Sequence, residues 1–238
     1  DLILFDDGRV VAALRDDGVY ISPDGTADSF TEVGGGLPTT DYRRIQLAVR
    51  EDQPNNVFAA YEDQRESTYD SGLKGIWKST DGGQTWAELP GNPEDFNIYM
   101  RFNWYAFAFE VKPDDPDFIV VGSVELGFSA DGGQTWTEAS DGHADQHTCV
   151  FDPDNTNRFY IGNDGGIYRY GTLTASLFRE DLNEGYNVTQ FYAGSYGPLG
   201  DQAWGGTQDN GTLSYFLSGP DFDRIYGADG SFNGISQQ

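Results

Sequence analysis

Ser79-Thr-Asp-Gly-Gly-Gln-Thr-Trp86 decides how this sequence is read, because it returns almost unchanged as Ser129-Ala-Asp-Gly-Gly-Gln-Thr-Trp136. A reduced copy, Ser22-Pro-Asp-Gly-Thr26, precedes Phe30. Ser79 lies 57 residues beyond Ser22, and Ser129 lies 50 beyond Ser79. Repeats of about 40–50 residues with four strands each are the signature of propeller blades. Within the repeat the chemistry is that of a tight turn. Adjacent glycines, ending at Gly83 and Gly133, accept the positive φ that such a turn demands. The carboxylates of Asp81 and Asp131 can take backbone N–H bonds, while the hydroxyls of Ser79, Ser129, Thr85 and Thr135 close the loop. Trp86 and Trp136 then open the outermost strand and are expected to pack between blades. The motif reads as a folding staple, not a catalytic group.

A second phrase lies between the turns. Val49–Ala60, Val111–Gly122 and Phe151–Gly162 share one plan: an apolar strand, a turn rich in Pro, Asp and Asn, then another apolar strand. Together the two phrases predict an all-β chain, a single β-propeller domain over 1–238 built of four-stranded antiparallel blades. The blades are drafted at 2–33, 44–89, 105–139, 147–180 and 190–226. Residues 231–238 read as the first strand of a sixth, so the sequence reads as an incomplete part of a larger propeller.

Composition agrees with short strands and tight turns: aromatics make up 15% and glycine contributes 31 residues. Acidic residues outnumber basic ones 39 to 14, giving a formal charge of −25. A surface of that sign repels nucleic-acid phosphates and anionic membranes. It suits neutral glycans, divalent cations or a salty medium. The single cysteine, Cys149, has no partner for a disulfide and reads as a small buried hydrophobe. No run of about 18 apolar residues exists, so no transmembrane helix is expected.

The repeated turns are similar to those of the Asp-box, or BNR-repeat, superfamily: sialidases, xyloglucanase-type glycoside hydrolases and the sortilin (VPS10) ectodomain. The second half carries a closer resemblance. His143-Ala-Asp-Gln-His147, Gly162-Asn-Asp-Gly-Gly166, Thr189-Gln-Phe-Tyr192 and Gly205-Gly-Thr-Gln-Asp-Asn-Gly211 follow in order. That series resembles the secreted bacterial sortilin-like "glycosyl hydrolase BNR repeat" proteins. The resemblance implies a secreted or cell-surface location and a glycan or an extracellular protein as partner. It does not carry a reaction with it. The sialidase pattern fails, because no Arg-Ile-Pro segment occurs and the arginines do not fall at blade-equivalent positions.

Strand order locates a site. In a four-stranded blade, the loop leading into the innermost strand and the loop between strands two and three share one face, opposite the Ser-x-Asp-Gly-Gly turns. Those loops offer Arg44, Arg101, Trp104, Tyr105, Asn187, Gln190 and Gln208 as ligand-binding residues. Glu62 and Asp63 accompany them. Aromatic platforms beside polar groups suit a pyranose, whose apolar face stacks and whose hydroxyls take hydrogen bonds. His143-x-Asp145-x-His147, placed on an extended segment, would point three ligands to one side and could hold a divalent metal, the one cofactor this pattern admits.

Three functions follow. The first is a binding module without catalysis. The second is a glycoside hydrolase, with Asp145, Asp164, Glu125 and Asp209 as candidate catalytic carboxylates. Such a pair would stand ~5–5.5 Å apart if retaining or ~6.5–9.5 Å if inverting. The third is a subunit of an extracellular assembly joined through unpaired blade edges.

Overall fold

The structure, a computed structural model, describes residues 1–50, 52–64, 70–139, 142–172, 178–185, 189–216, 219 and 222–235. Twenty strands form five antiparallel four-stranded sheets, each a simple meander in chain order. Sheet one holds β1 (Leu2–Leu4), β2 (Val10–Leu14), β3 (Gly18–Ser22) and β4 (Thr31–Glu32). Sheet two holds β5 (Tyr42–Val49), β6 (Val57–Asp63), β7 (Leu73–Ser79) and β8 (Ala87–Glu88). Sheet three holds β9 (Ala108–Val111), β10 (Ile119–Gly122), β11 (Leu126–Ser129) and β12 (Thr137–Glu138). Sheet four holds β13 (Gln146–Phe151), β14 (Arg158–Asn163), β15 (Gly166–Gly171) and β16 (Phe178–Asp181). Sheet five holds β17 (Phe191–Tyr196), β18 (Gln202–Thr207), β19 (Thr212–Phe216) and β20 (Phe222–Tyr226).

The chain forms two compact units. One comprises Asp1–Asn163 with Ile167–Asp181, the other Asp164–Gly166 with Leu182–Gln238. The reason lies in where the apolar side chains go. In the first unit each strand serves two neighbours, because successive side chains point to opposite faces. Val57, Ala59 and Tyr61 join the cluster between sheets one and two, while Phe58 and Ala60 join the one between sheets two and three. Ile119 and Val121 face sheet two, and Val120 faces sheet four. All three buried clusters are made of residues from sheets one to four. The innermost strands β1, β5, β9 and β13 run in succession beside one another.

The repeated turns join the third and fourth strands of sheets two and three. Ser79 Oγ donates to Asp81 Oδ1 (2.8 Å) and accepts from the Gly83 N–H (2.9 Å). Asp81 accepts the N–H groups of Gln84 and Thr85 (3.0 and 2.9 Å) and the Thr85 hydroxyl (2.6 Å). Asp131 repeats each of these bonds with Gln134 and Thr135. The glycine pairs sit at φ of 75° and 96° in the first turn, 73° and 81° in the second, so a side chain there would be strained. Trp86 and Trp136 are buried in the clusters on either side of sheet two.

In the second unit the strands are more open, and every residue of β20 is exposed. Residues 231–235, expected to begin a further strand, join no ladder among the described residues. They pack instead on sheet five: the Asn233 carbonyl accepts from Ser195 Oγ (2.9 Å), and the Gly230 N–H donates to the Thr207 carbonyl (2.8 Å). Glycine makes this approach possible, since a Cβ on Gly206 would stand 1.7 Å from the Ser231 carbonyl oxygen.

Candidate functional site

The segment before β9 builds the centre of the site. Phe102 takes φ of 59°, a conformation that bulky residues rarely adopt and that often marks a functional loop. The N–H groups of Tyr105 and Ala106 both return to the Phe102 carbonyl (2.8 and 2.9 Å), closing a tight turn. The turn sends Asn103 inward, fully buried, and leaves Trp104 and Tyr105 37% and 41% exposed. Their rings lie 5.6 Å apart at 45°. Tyr105 also meets the edge of His147 at 4.8 Å, so the platform extends from sheet three to sheet four.

Sheet two supports the platform from the other side. Arg44 Nη1 donates to the Tyr105 carbonyl (3.2 Å), its guanidinium lies 5.8 Å from the Phe107 ring centre, and its N–H donates to Glu62 Oε2 (3.0 Å). Burial lowers the Arg44 pKa; the Glu62 charge opposes that effect and Arg15 adds to it. Arg44, Trp104, Tyr105 and His147 therefore come together as one rim feature, drawn from three sheets.

Arg101 is placed differently. Its guanidinium donates to Glu94 (3.0 Å) and to the Met100 carbonyl, and it lies over the Tyr99 ring at 5.3 Å. It braces the loop. Glu125 is occupied in the same way, its carboxylate accepting the Tyr99 N–H. Beside it, Val124, Glu125, Glu138, His143 and Gln146 line a recess of about 250 Å³.

The backbone at His143, Asp145 and His147 departs from the single extended segment that the metal reading assumes. β13 begins only at Gln146 and carries a bulge between Gln146 and Thr148, while Asp145 takes φ of 66°. The alternation that would align the three side chains is broken twice. Among the described residues no three His, Cys, Asp or Glu side chains gather as a metal needs. His143 Nδ1 meets the Ala144 carbonyl (3.1 Å), and its own carbonyl accepts from Gln146 and Asn163.

In the second unit, Gln208-Asp-Asn-Gly211 is a turn in which Thr207 and Gly211 pair through backbone and hydroxyl. The Gln208 N–H donates to the Gln190 carbonyl (2.8 Å), which brings those two candidates together. Asp209, at φ of 61°, gives its N–H to Asp229, and Asn210 donates to the Asp164 carbonyl (3.2 Å). Asn187 lies outside the described residues. Sequence reasoning passed over Asn103, whose burial follows from a turn with no signature of its own.

With this geometry in hand, the fold can be compared with solved structures. A GH74 enzyme from Niastella koreensis superimposes with a TM-score of 0.59 at 18% identity, over 94% of this chain and 36% of the enzyme. The GH74 xyloglucanase from Xanthomonas campestris gives 0.53 at 15% identity, over 94% and 37%. YCF48 bound to D1 peptide gives 0.52 at 11% identity, over 94% and 67%. The chain is a β-propeller. Its five sheets are blades, and it spans a little over a third of each of the two GH74 enzymes. At these identities the likeness shows the fold alone. No protein-family model matches the sequence, and no curated protein matches it.

Proposed function

We propose that this propeller is a binding module without catalysis, that it works outside the cytoplasm, and that its ligand is a neutral glycan. One observation carries the reading: the exposed Trp104–Tyr105 pair, fixed by the Phe102 turn, by Arg44 and by His147. Two rings held at a set angle offer a pyranose an apolar surface with little ordering cost on binding. The neighbouring Arg44 and His147 supply polar groups for its hydroxyls. The serine–aspartate turns, whose serine and aspartate bonds recur in both copies, support a place among the Asp-box propellers. A neutral ligand fits the charge of −25, since a polyanion would be repelled.

The GH74 likeness makes xyloglucan the first ligand to try and hydrolysis the alternative to exclude. Affinity electrophoresis on xyloglucan should show retardation that Trp104→Ala reduces about tenfold or more, the size expected of a central aromatic anchor. No reducing ends should be released. Release that Glu125→Gln or Asp145→Asn abolishes would replace the binding reading with a glycoside hydrolase. Unchanged migration of the Trp104→Ala protein would remove the platform from the site.

An assembly role has its own support in the second unit. Phe191, Tyr196 and Phe222 form an exposed aromatic wall over a recess of about 260 Å³ floored by Gly194 and Gly205. Light scattering that shows a concentration-dependent oligomer, lost in Phe222→Ser, would favour that role.

A further inference from the structure

Near the turn that carries Trp104 and Tyr105 are buried polar side chains whose hydrogen bonding the fold leaves incomplete. Glu62 and Asn103 are 0% exposed and Ser71 is 1% exposed. Glu62 Oε1, Ser71 Oγ and both amide atoms of Asn103 have no hydrogen-bond partner. Native structures rarely leave such atoms unpaired, so these four call for a partner.

The topology brings the three residues together. On β6, Tyr61 faces sheet one, so Glu62 points the other way, as Ala60 and Phe58 do, toward sheet three. Glu62 stands opposite Leu73 in the ladder, and Leu73 belongs to the same inter-sheet cluster. Ser71, two residues before Leu73, is buried at the entry to β7. Asn103 arrives from sheet three, its N–H donating to the Ser71 carbonyl (3.3 Å). The three side chains cap the apolar cluster between sheets two and three, enclosed and out of reach of bulk solvent.

Charge decides what the occupant is. Glu62 contributes one carboxylate in a closed, poorly polar space, where a lone charge needs a counter-charge close by. Arg44 is near, but its guanidinium is directed to the Tyr105 carbonyl and, with the Gln46 amide in its bonded orientation, to Gln46 Oε1 at 3.0 and 2.6 Å. Only its backbone N–H reaches Glu62, at Oε2. The remaining donors are hard oxygens: one carboxylate, one amide, one hydroxyl. Such ligands suit a hard cation. With one formal negative charge and a guanidinium nearby, the charge balance favours a monovalent ion over a divalent one. A molecule with formal charge −25 also concentrates small cations around itself.

We propose that Glu62, Ser71 and Asn103 hold a partly hydrated monovalent cation of sodium's size, which locks blade two to blade three near the turn that carries the aromatic platform. The carboxylate, hydroxyl and amide oxygens ligate the ion, and its retained water accepts from Asn103 Nδ2. The site is separate from the glycan reading and stands without it.

The test uses the whole 238-residue chain and compares thermal midpoints in sodium chloride and choline chloride at equal ionic strength. Choline is too bulky to enter, so screening is common to both salts and only occupancy differs. The midpoint should rise with sodium by roughly 4–8 °C between 10 mM and 1 M for a site half-filled at tens of millimolar, relative to choline. Glu62→Gln and Asn103→Ala should each erase the difference between salts, whatever their effect on the midpoint itself. Equal midpoints in the two salts for the unaltered protein would mean that the chamber holds water only and would overturn the proposal. So would a sodium effect that persists in both variants, which marks the outer surface. A response to calcium chloride with none to sodium would overturn the monovalent assignment.

Discussion

At the scale of single residues, the aspartates of the repeated turns are the clearest case of sequence dictating geometry. Asp81 is held at a pKa of about 2, first by the Thr85 hydroxyl, then by the Thr85 N–H and Ser79, with slight desolvation opposing. Asp131 is lowered too: desolvation is its largest single effect and raises it, but the Thr135 and Ser129 bonds together outweigh that. A carboxyl with a depressed folded pKa stabilises the fold above its unfolded value near ~4, and that contribution fades as pH falls toward ~2. Asp81→Ala should therefore cost about 1–2 kcal/mol at pH 7, the scale of a few exposed charge-assisted bonds. The urea midpoints of variant and parent should converge as pH drops from 5 to 2.5. A gap that stays constant over that range would show that ionisation of Asp81 does not matter. The turn and its hydrogen bonds were legible beforehand, because the turn is local and each bond joins residues within five positions. Cys149 was legible for a similar reason: burial pushes its thiol well up, as expected of a small hydrophobe inside a blade contact.

At the scale of elements, alternation works where strands are regular and misleads where they are not. The five meanders follow from the repeated phrases, and the side-chain parity of β6 sorts Phe58 from Tyr61 correctly into two clusters. The same parity rule does not apply evenly to His143, Asp145 and His147, because Asp145 turns through the left-handed region just before β13. Nothing in His-Ala-Asp-Gln-His distinguishes an extended segment from a turn followed by a strand. Likewise the Phe102 turn, which positions Trp104 and Tyr105, has no glycine or proline to announce it. Packing supplies a direct check on the two-sided strand. Phe58 is 0% exposed, so Phe58→Ala should cost about 3–5 kcal/mol by opening a cavity between sheets two and three. Leu2→Ala, at a residue 60% exposed, should cost less than about 1 kcal/mol. Chemical denaturation of both variants reads the contrast directly, and similar costs at the two positions would refute the assignment of β6 to two cores.

At the scale of the whole molecule, the glycan-binding proposal makes charge the selector among ligands that the platform alone would accept. The platform's rings do not discriminate, since the apolar face of a neutral or an acidic pyranose stacks equally well. The field around a chain of charge −25 does discriminate, and it acts over about a Debye length, near 10 Å at 0.1 M salt. A polyuronate or a sulfated glycan approaching Trp104 crosses that field with every residue charged, so its association is slowed and its bound state raised in energy. A neutral xyloglucan chain meets no such barrier. Retention of xyloglucan should therefore vary less than about twofold between 50 and 500 mM sodium chloride, while polygalacturonate should bind only as salt rises and screening sets in. Tight binding of polygalacturonate at 50 mM, weakening with salt, would mean that Arg44 and its neighbour Arg15 form a local positive site strong enough to outweigh the global charge. The ligand class would then be acidic, and the platform would serve it through a charge contact in addition to stacking.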